Sequence, residues 1–329
     1  MLTLVRFSRP ARSLFVLGHA AIALACADNT APINAVDEIA FVSWREGAAM
    51  LYTARLDGTE PQRVLTPPLS GSLADYQLSA VRWSPDGTRV VVNRSLRRDA
   101  AYPSTDLVLV SLPDGRETVI VGPNESTGSP NEFTGSAAWS PDGAHLAFFT
   151  GGFFNVGYLL FVGGPAGAGA VPLGTQRFYA ETPTWSPDGR EIAGVRYPDR
   201  RLIVIDAATG ALRRVVSTVE ASGPDWSPDG RRLVFAGHYQ VSSAIFVVNR
   251  DGTSETRITT PDAAVLLGAG DNLPRWSPDG RSILFQQNRG GLPSVSYPRA
   301  TLRTVRPDGS EGPDVLGGDA TDAAWRPRR

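Results

Sequence analysis

The chain has 329 residues, 42% of them hydrophobic, and its 32 basic and 33 acidic side chains leave a net charge of −1. That length and apolar content support one large buried core, and the near-zero charge excludes a global pull towards nucleic acid or an anionic membrane surface. Every basic residue is Arg, which excludes lysine chemistry such as a Schiff base or a Walker phosphate loop.

Residues 1–25 read as an export leader. Arg6, Arg9 and Arg12 give a basic start, and Ser13 to Ala25 is an apolar stretch without acid or Arg, short for a membrane span. It ends in Ile22-Ala23-Leu24-Ala25-Cys26, which resembles a bacterial lipoprotein signal. That resemblance implies lipidation of Cys26, and Ala27 in place of an Asp implies the outer membrane. Ordinary signal-peptidase cleavage also fits, because Ala23-x-Ala25 and Ala25-x-Ala27 both satisfy the small-residue rule, so a secreted chain stays open. Cys26 is the single Cys, which excludes an intramolecular disulfide. Residues 26–36 read as a short tether.

From residue 37 to 329 the chain is repetitive. Ile39-Ala40-Phe41 and Leu51-Tyr52 are two apolar strands followed by an Asp57-Gly58 turn. Then Trp-Ser-Pro-Asp-Gly appears at Trp83, Trp139, Trp185, Trp226 and Trp276, with a decayed copy at Trp325-Arg326-Pro327. Trp-to-Trp intervals of 56, 46, 41, 50 and 49 residues mean one supersecondary unit repeated. Ser-Pro-Asp-Gly suits a type I turn closed by a left-handed Gly, so Trp should end one strand and the next should start just past Gly. The next strand is apolar on both faces, as in Val90-Val91-Val92 and Leu233-Val234-Phe235, which predicts cover on both sides. A third strand (Leu107 to Val110, Leu202 to Ile205), an Asp-Gly turn and a fourth strand complete each unit. The first unit lacks its Trp strand, and the last Trp strand, Asp322 to Trp325, has nothing after it. The two pieces make one blade if the ring closes. The expectation is an all-β, six-bladed β-propeller of four-stranded antiparallel blades, closed by the C-terminal strand joining the N-terminal blade.

These repeats resemble the TolB-like, WD40-like β-propeller family, whose blades carry Trp-Ser-Pro-Asp-Gly, an apolar strand and an Asp-Gly turn. The resemblance covers roughly residues 37 to 329 and implies the fold; one such architecture hosts many activities. About ten residues separate the leader from the first strand, so the α/β domain that precedes the propeller in TolB is not expected here.

The motif turns and Asp-Gly turns should share one face. Long, varied connections fall on the other, where binding residues usually sit. Among the aromatics and Arg of those connections, types enriched at interfaces, we single out Tyr76, Arg97, Arg98, Tyr102, Phe133, Phe154, Arg177, Phe178, Tyr179, Tyr239 and Tyr297. A polar series four residues before each Trp (Ser79, Gly135, Glu181, Ser222, Asn272, Thr321) should approach the channel mouth, where Glu181, Asn272 and Asp271 could take a polar ligand or a cation; ordinary strand-start polarity is the simpler account of them.

Catalytic residues are not evident. His238 reaches the loop face without a second His or Cys beside it, so no metal site is expected. The chain has no Gly-x-Ser-x-Gly elbow, and Gly163 to Gly169 reads as a turn rather than a phosphate loop. The reading is a non-catalytic, cofactor-free propeller of the cell envelope, membrane-attached only through a lipid, that engages an envelope protein or peptide and no nucleic acid through its long loops. The alternative is a carbohydrate-active enzyme, lyase or glycosidase, or a polysaccharide binder, with Glu125, Glu132, Glu181 and Asp271 as the acid candidates.

Overall fold

The computed structural model describes residues 38–44, 49–65, 76–96, 104–112, 114–121, 132–152, 157–165, 168–179, 181–239, 242–260, 270–288, 300–316 and 320–328. The leader and the tether, including Cys26, lie outside these residues. Among the described residues every element is a strand or a turn, and no helix is long and apolar enough to cross a membrane.

The strands follow the repeats. β1 (Glu38–Ser43), β2 (Met50–Arg55) and β3 (Gln62–Arg63) open the chain. β4 (Tyr76–Trp83), β5 (Arg89–Leu96), β6 (Ser104–Ser111) and β7 (Glu117–Val121) form the next sheet. β8 (Glu132–Trp139), β9 (Leu146–Gly152), β10 (Tyr158–Gly163) and β11 (Val171–Phe178) form the third. β12 (Thr184–Trp185), β13 (Glu191–Val195), β14 (Leu202–Asp206) and β15 (Leu212–Val215) form the fourth. β16 (Glu220–Trp226), β17 (Arg232–Tyr239), β18 (Ser242–Asn249) and β19 (Thr256–Arg257) are followed by β20 (Gly270–Trp276), β21 (Ile283–Asn288), β22 (Ala300–Val305) and β23 (Glu311–Leu316). β24 (Ala320–Trp325) returns to the start and pairs with β1, Ile39 opposite Trp325 and Ser43 opposite Ala320, so the first sheet runs β24-β1-β2-β3.

The sheets are antiparallel and four-stranded, with a correction to the expected count of six separate blades. Four sheets stand alone, and β16 to β23 form one sheet of eight strands. One parallel bridge, Ser243 to Gly270, joins its two halves. β19 pairs with Phe246 and Val247 of the long β18, and Ile258 and Thr259 just past it bond Ile245, which leaves the Ser243 end of that edge open. Gly270 fills it because it has no side chain: its φ is +147°, and a Cβ there would lie 2.5 Å from the Ser243 nitrogen.

Each motif folds as its residues dictate. In all five intact copies the Gly N–H donates to the Ser carbonyl, as in Gly87 to Ser84 at 2.8 Å, and the Gly sits at φ +64° to +70°. The Ser hydroxyl donates to the Asp Oδ1, and that oxygen also accepts an amide two residues on. The strand ends on Trp and the ring packs against the preceding sheet. Trp139 lies with Val91, Leu107 and Leu109, Trp226 with Ala193, Val195 and Leu202, and Trp276 with Val234, Ala236 and Ile245. Second and third strands are buried on both faces because a sheet lies on either side; β13 is buried throughout. The exposed large apolar residues, Val119, Val171, Leu212 and Val215, all belong to the fourth, outermost strands.

Candidate functional site

Strand register fixes the two faces. Arg89 pairs with Ser111, so the turn after the third strand lies at the motif end, whereas Leu96 pairs with Ser104 at the opposite end, where the long connections are. On that opposite face the described side chains gather where the fourth sheet meets β16.

The cluster is built on a short hairpin between β13 and β14. Arg196 N–H donates to Arg201 O, and Tyr179, just past β11, donates its N–H to Val195 O and its hydroxyl to Pro198 O at 3.1 Å. Arg200 stacks on the Tyr179 ring with its guanidinium carbon 4.2 Å from the centroid, and the Tyr197 ring packs tilted against it with centroids 5.3 Å apart. Arg177 Nη1 donates to Gly157 O, and Ala221 N–H donates to Arg200 O, tying the hairpin to β16. Glu181 spans the same junction. Its Oε2 accepts the Gly223 N–H at 2.7 Å, and its Oε1 lies 3.4 Å from Arg200 Nη1. Burial pushes this carboxyl up to about 7, against the downward pull of the Gly223 amide and of Arg200. Beyond it His238 Nε2 and Ser222 Oγ share a 2.8 Å hydrogen bond, and burial followed by Arg200 holds His238 below its ordinary value. Glu220, opposite His238 in the strand pair, acts against that shift.

Deeper inside, buried charges meet on the inner strands. Asp225 accepts the Trp276 N–H at 2.8 Å and the Thr184 hydroxyl at 3.3 Å. Burial raises it to about 6, opposed by that amide and by Arg82. Asp322 is raised by burial too, and Arg82 is lowered to about 10. Arg275 donates to the Gly223 and Pro274 carbonyls. Arg82 Nη2 and Arg275 Nε are buried with no partner among the described residues. Each inner strand except β12 breaks register in this region, and Ala80, Leu273 and Asp322 take positive φ there without being Gly. Nothing in their residue types announced those bulges.

Several sequence expectations are corrected. Phe178 is 1% exposed and packs on Phe149 with centroids 5.0 Å apart, so it is a core residue and not a loop-face contact. Arg177 also lies within β11, because that strand continues to pair with β10 as far as Tyr158 opposite Phe178. Tyr76, Phe133 and Tyr239 lie within β4, β8 and β17, and Asp271 and Asn272 within β20. Glu181, Asp271 and Asn272 are committed to different partners, Glu181 to Gly223 and Arg200. Asp271 is 1% exposed, takes a hydrogen bond from Gln287, and is raised by burial, while Asn272 Oδ1 accepts from Ser243. Among the described residues no three His, Cys, Asp or Glu side chains gather as a metal site. Arg97, Arg98, Tyr102, Phe154 and Tyr297 lie outside the described residues. Arg200 was missed, although Tyr197-Pro198-Asp199 before it is a turn signal that marks a short hairpin on this face.

Comparison with known proteins agrees with this architecture. Residues 155–306 match the family model described as TolB beta propeller domain. The crystal structure of TolB from Acinetobacter baumannii superposes with TM-score 0.69 at 17% identity, over 90% of this chain and 68% of that one. A putative TolB from Agrobacterium tumefaciens gives 0.58 at 21%, over 88% and 96%. A chain of a nidogen/laminin complex gives 0.61 at 9%, over 88% and 98%. No curated protein matches the sequence. Residues 155–306 match that family model and the intact motif turn also stands ahead of them at Trp83 and Trp139, so the β-propeller of this chain is similar to that of TolB.

Proposed function

We propose that this chain is a non-catalytic propeller of the cell envelope that holds a protein or peptide partner on the face opposite its motif turns. Counting the eight-stranded sheet as two blades joined at Ser243 and Gly270 makes the propeller six-bladed. The export leader, residues 1–25, and Cys26 at its end put the protein outside the cytoplasm, anchored by a lipid at Cys26 to the outer membrane, with residues 26–36 as tether.

The observation that carries the binding reading is the group Tyr179, Tyr197, Arg200 and Glu181. It combines two aromatic rings with a guanidinium whose side chain is 36% exposed, set on a hairpin that the backbone holds at both ends. Aromatics and Arg held rigid in this way dominate binding energy at protein interfaces. The acid of the group, raised to about 7, would also suit a general acid for glycoside chemistry, but a glycosidase needs a second carboxylate about 5–10 Å away. Of the other described acids of this face, Asp271 is committed to Gln287 inside the sheet and Asp199 to Arg196, while Glu220 stands opposite His238.

The test is capture from an envelope extract by the purified, immobilised protein, beside assays for cleavage of polysaccharides. Tyr179→Ala and Arg200→Ala should each lose the captured partner while keeping the melting temperature. Capture that survives in both variants refutes the assignment to this face, and turnover of a polysaccharide that Glu181→Gln abolishes would move the reading to the enzyme.

A further inference from the structure

Most of the repeated Trp rings are covered by a cation. Arg89 lies over Trp139 and Arg232 over Trp276, each 5.0 Å from the ring centre; Arg326 lies over Trp83 at 5.1 Å and Arg250 over Trp226 at 5.5 Å. Two positions in the repeat supply three of these. Arg89 and Arg232 stand six residues after the Trp of the preceding sheet. Arg250 is the first residue of the turn after the third strand of its own sheet, where its N–H donates to Arg231 O, and Glu191 holds its guanidinium.

At Trp185 both positions are empty of Arg. The residue six after Trp139 is His145, and the residue equivalent to Arg250 is Ala207, which makes the same backbone bond to Arg190 O. Among the described residues no cation lies over Trp185. Its ring is partly exposed and borders a cavity of about 710 Å³ between the third and fourth sheets, on the motif-turn face. Trp325 also lacks a cation, but it is 8% exposed and its indole donates to Arg275 O. The cavity walls carry Asp142, Asp188 and Asp206 beside Arg190 and Arg213. Arg213 is already bound by Asp206, with Glu191 at 3.8 Å, and Asp188 shares Arg250 at 3.4 Å. Asp142 Oδ2 has no partner among the described residues. The site therefore pairs a partly exposed indole with the carboxylate of Asp142, on which His145 acts electrostatically from the cavity wall.

We infer that this cavity receives an arginine side chain of a partner protein, whose guanidinium takes over Trp185 the place that the chain's own Arg residues take over its other rings. The guest is identified by the fold's own repetition: guanidinium on indole is the packing that closes the equivalent space elsewhere, and such contacts strengthen as they are desolvated. The inference concerns the face opposite the Tyr179 group and stands or falls independently of it.

The test uses the full chain with 15N-labelled Trp, the Trp185 indole N–H signal being assigned by its loss in Trp185→Phe. The probes are the peptide N-acetyl-Gly-Arg-Gly-amide and its uncharged citrulline twin. The arginine peptide should move the Trp185 signal saturably and leave the other indoles in place, with the citrulline peptide roughly tenfold weaker. His145→Arg and Ala207→Arg, which restore the pattern of the other repeats from two different sides, should each abolish the shift in a chain that melts no lower than the parent. Two variants guard against one misfolding. A Trp185 signal that ignores the arginine peptide, moves equally with citrulline, responds more strongly to a phosphate-bearing peptide through Arg190, or still responds in a well-folded variant overturns the inference.

Discussion

Glu181, Asp225 and Asp322 are carboxyls whose surroundings favour the proton. Burial dominates for each, raising Glu181 from 4.5 to about 7 and Asp225 from 3.8 to about 6, with Asp322 moved the same way. Above the unfolded values the native state binds more protons than the unfolded chain, so these groups cost stability progressively as pH rises from about 4 to about 7. The acids of the turns on the motif face behave oppositely. Asp86 is lowered to about 2, chiefly by the Ser84 hydroxyl, and Asp206 to about 2 by Arg213; Asp188 follows through Ser186. Their contribution is present above the ordinary Asp value and disappears as pH falls towards 2. Urea midpoints measured from pH 3 to 8 should therefore peak on the acid side of neutrality, near pH 4 to 5. Glu181→Gln and Asp225→Asn should each flatten the decline above the peak and leave the acid limb alone. A midpoint that rises steadily to pH 7 in the parent protein would show that these carboxyls ionise freely in the fold.

At the scale of the element, the motif turn and its Trp set each sheet against the one before. Trp226 is 5% exposed, packs in one cluster with Ala193, Val195, Leu202 and Val204 of the fourth sheet, and lies under Arg250. Truncating a buried aromatic of this size costs about 3–5 kcal/mol. Trp226→Ala should lower stability by that amount in denaturant titrations, while Tyr179→Ala on the opposite face should change it little; full stability in Trp226→Ala with partner capture lost would mean the binding face is the motif face. Gly270→Ala is the matching test of the fused sheet: with φ at +147° and Ser243 in contact, it should cost more than about 1 kcal/mol, and an unchanged midpoint would show that the bridge between the two halves carries nothing. The strands after each Trp and the motif turns were legible because Ser, Pro, Asp and Gly each impose one local geometry. The fusion at Gly270 was not legible, because it depends on how much of one edge a neighbouring strand leaves uncovered. The candidate site was half legible: Tyr179 and Glu181 stood out by type and position, whereas Phe178 looked the same in sequence and is core, since one step along an extended strand reverses which side a residue faces. Arg200 owes its place to a hairpin that only the tertiary fold brings over Tyr179.

For the whole molecule, two predictions concern what holds it in place and what holds it closed. If Cys26 carries a lipid, Cys26→Ser should move the protein from the membrane to the soluble fraction on cell fractionation; a parent protein already soluble would support the secreted reading. Closure rests on β24, which joins three parts of the ring at once. It supplies the inner strand of the first sheet through Ile39, Ala40, Val42 and Ser43. Its Ala324 carbonyl accepts the Trp83 indole N–H at 3.2 Å, and the Trp325 indole donates to Arg275 O at 3.2 Å. Asp322 brings a negative charge to the buried Arg82, and Arg326 donates to Gly87 O while covering Trp83. Removing residues 319–329 would therefore strip β1 of its ladder partner, leave Arg82 with Asp225 alone, and uncover Trp83 in one step. Buried groups deprived of partners and an open, apolar sheet edge each carry a heavy penalty. The truncated chain should lose its cooperative thermal transition and aggregate, whereas Asp322→Asn, which removes only the charge, should still melt cooperatively. A synthetic 319–329 peptide added in trans should recover part of the transition, because the groove it leaves is formed by strands that stay in the chain. A truncated chain melting at the parent temperature would mean that the sheets hold together without closing the ring, and that β24 is an appendage of the first sheet.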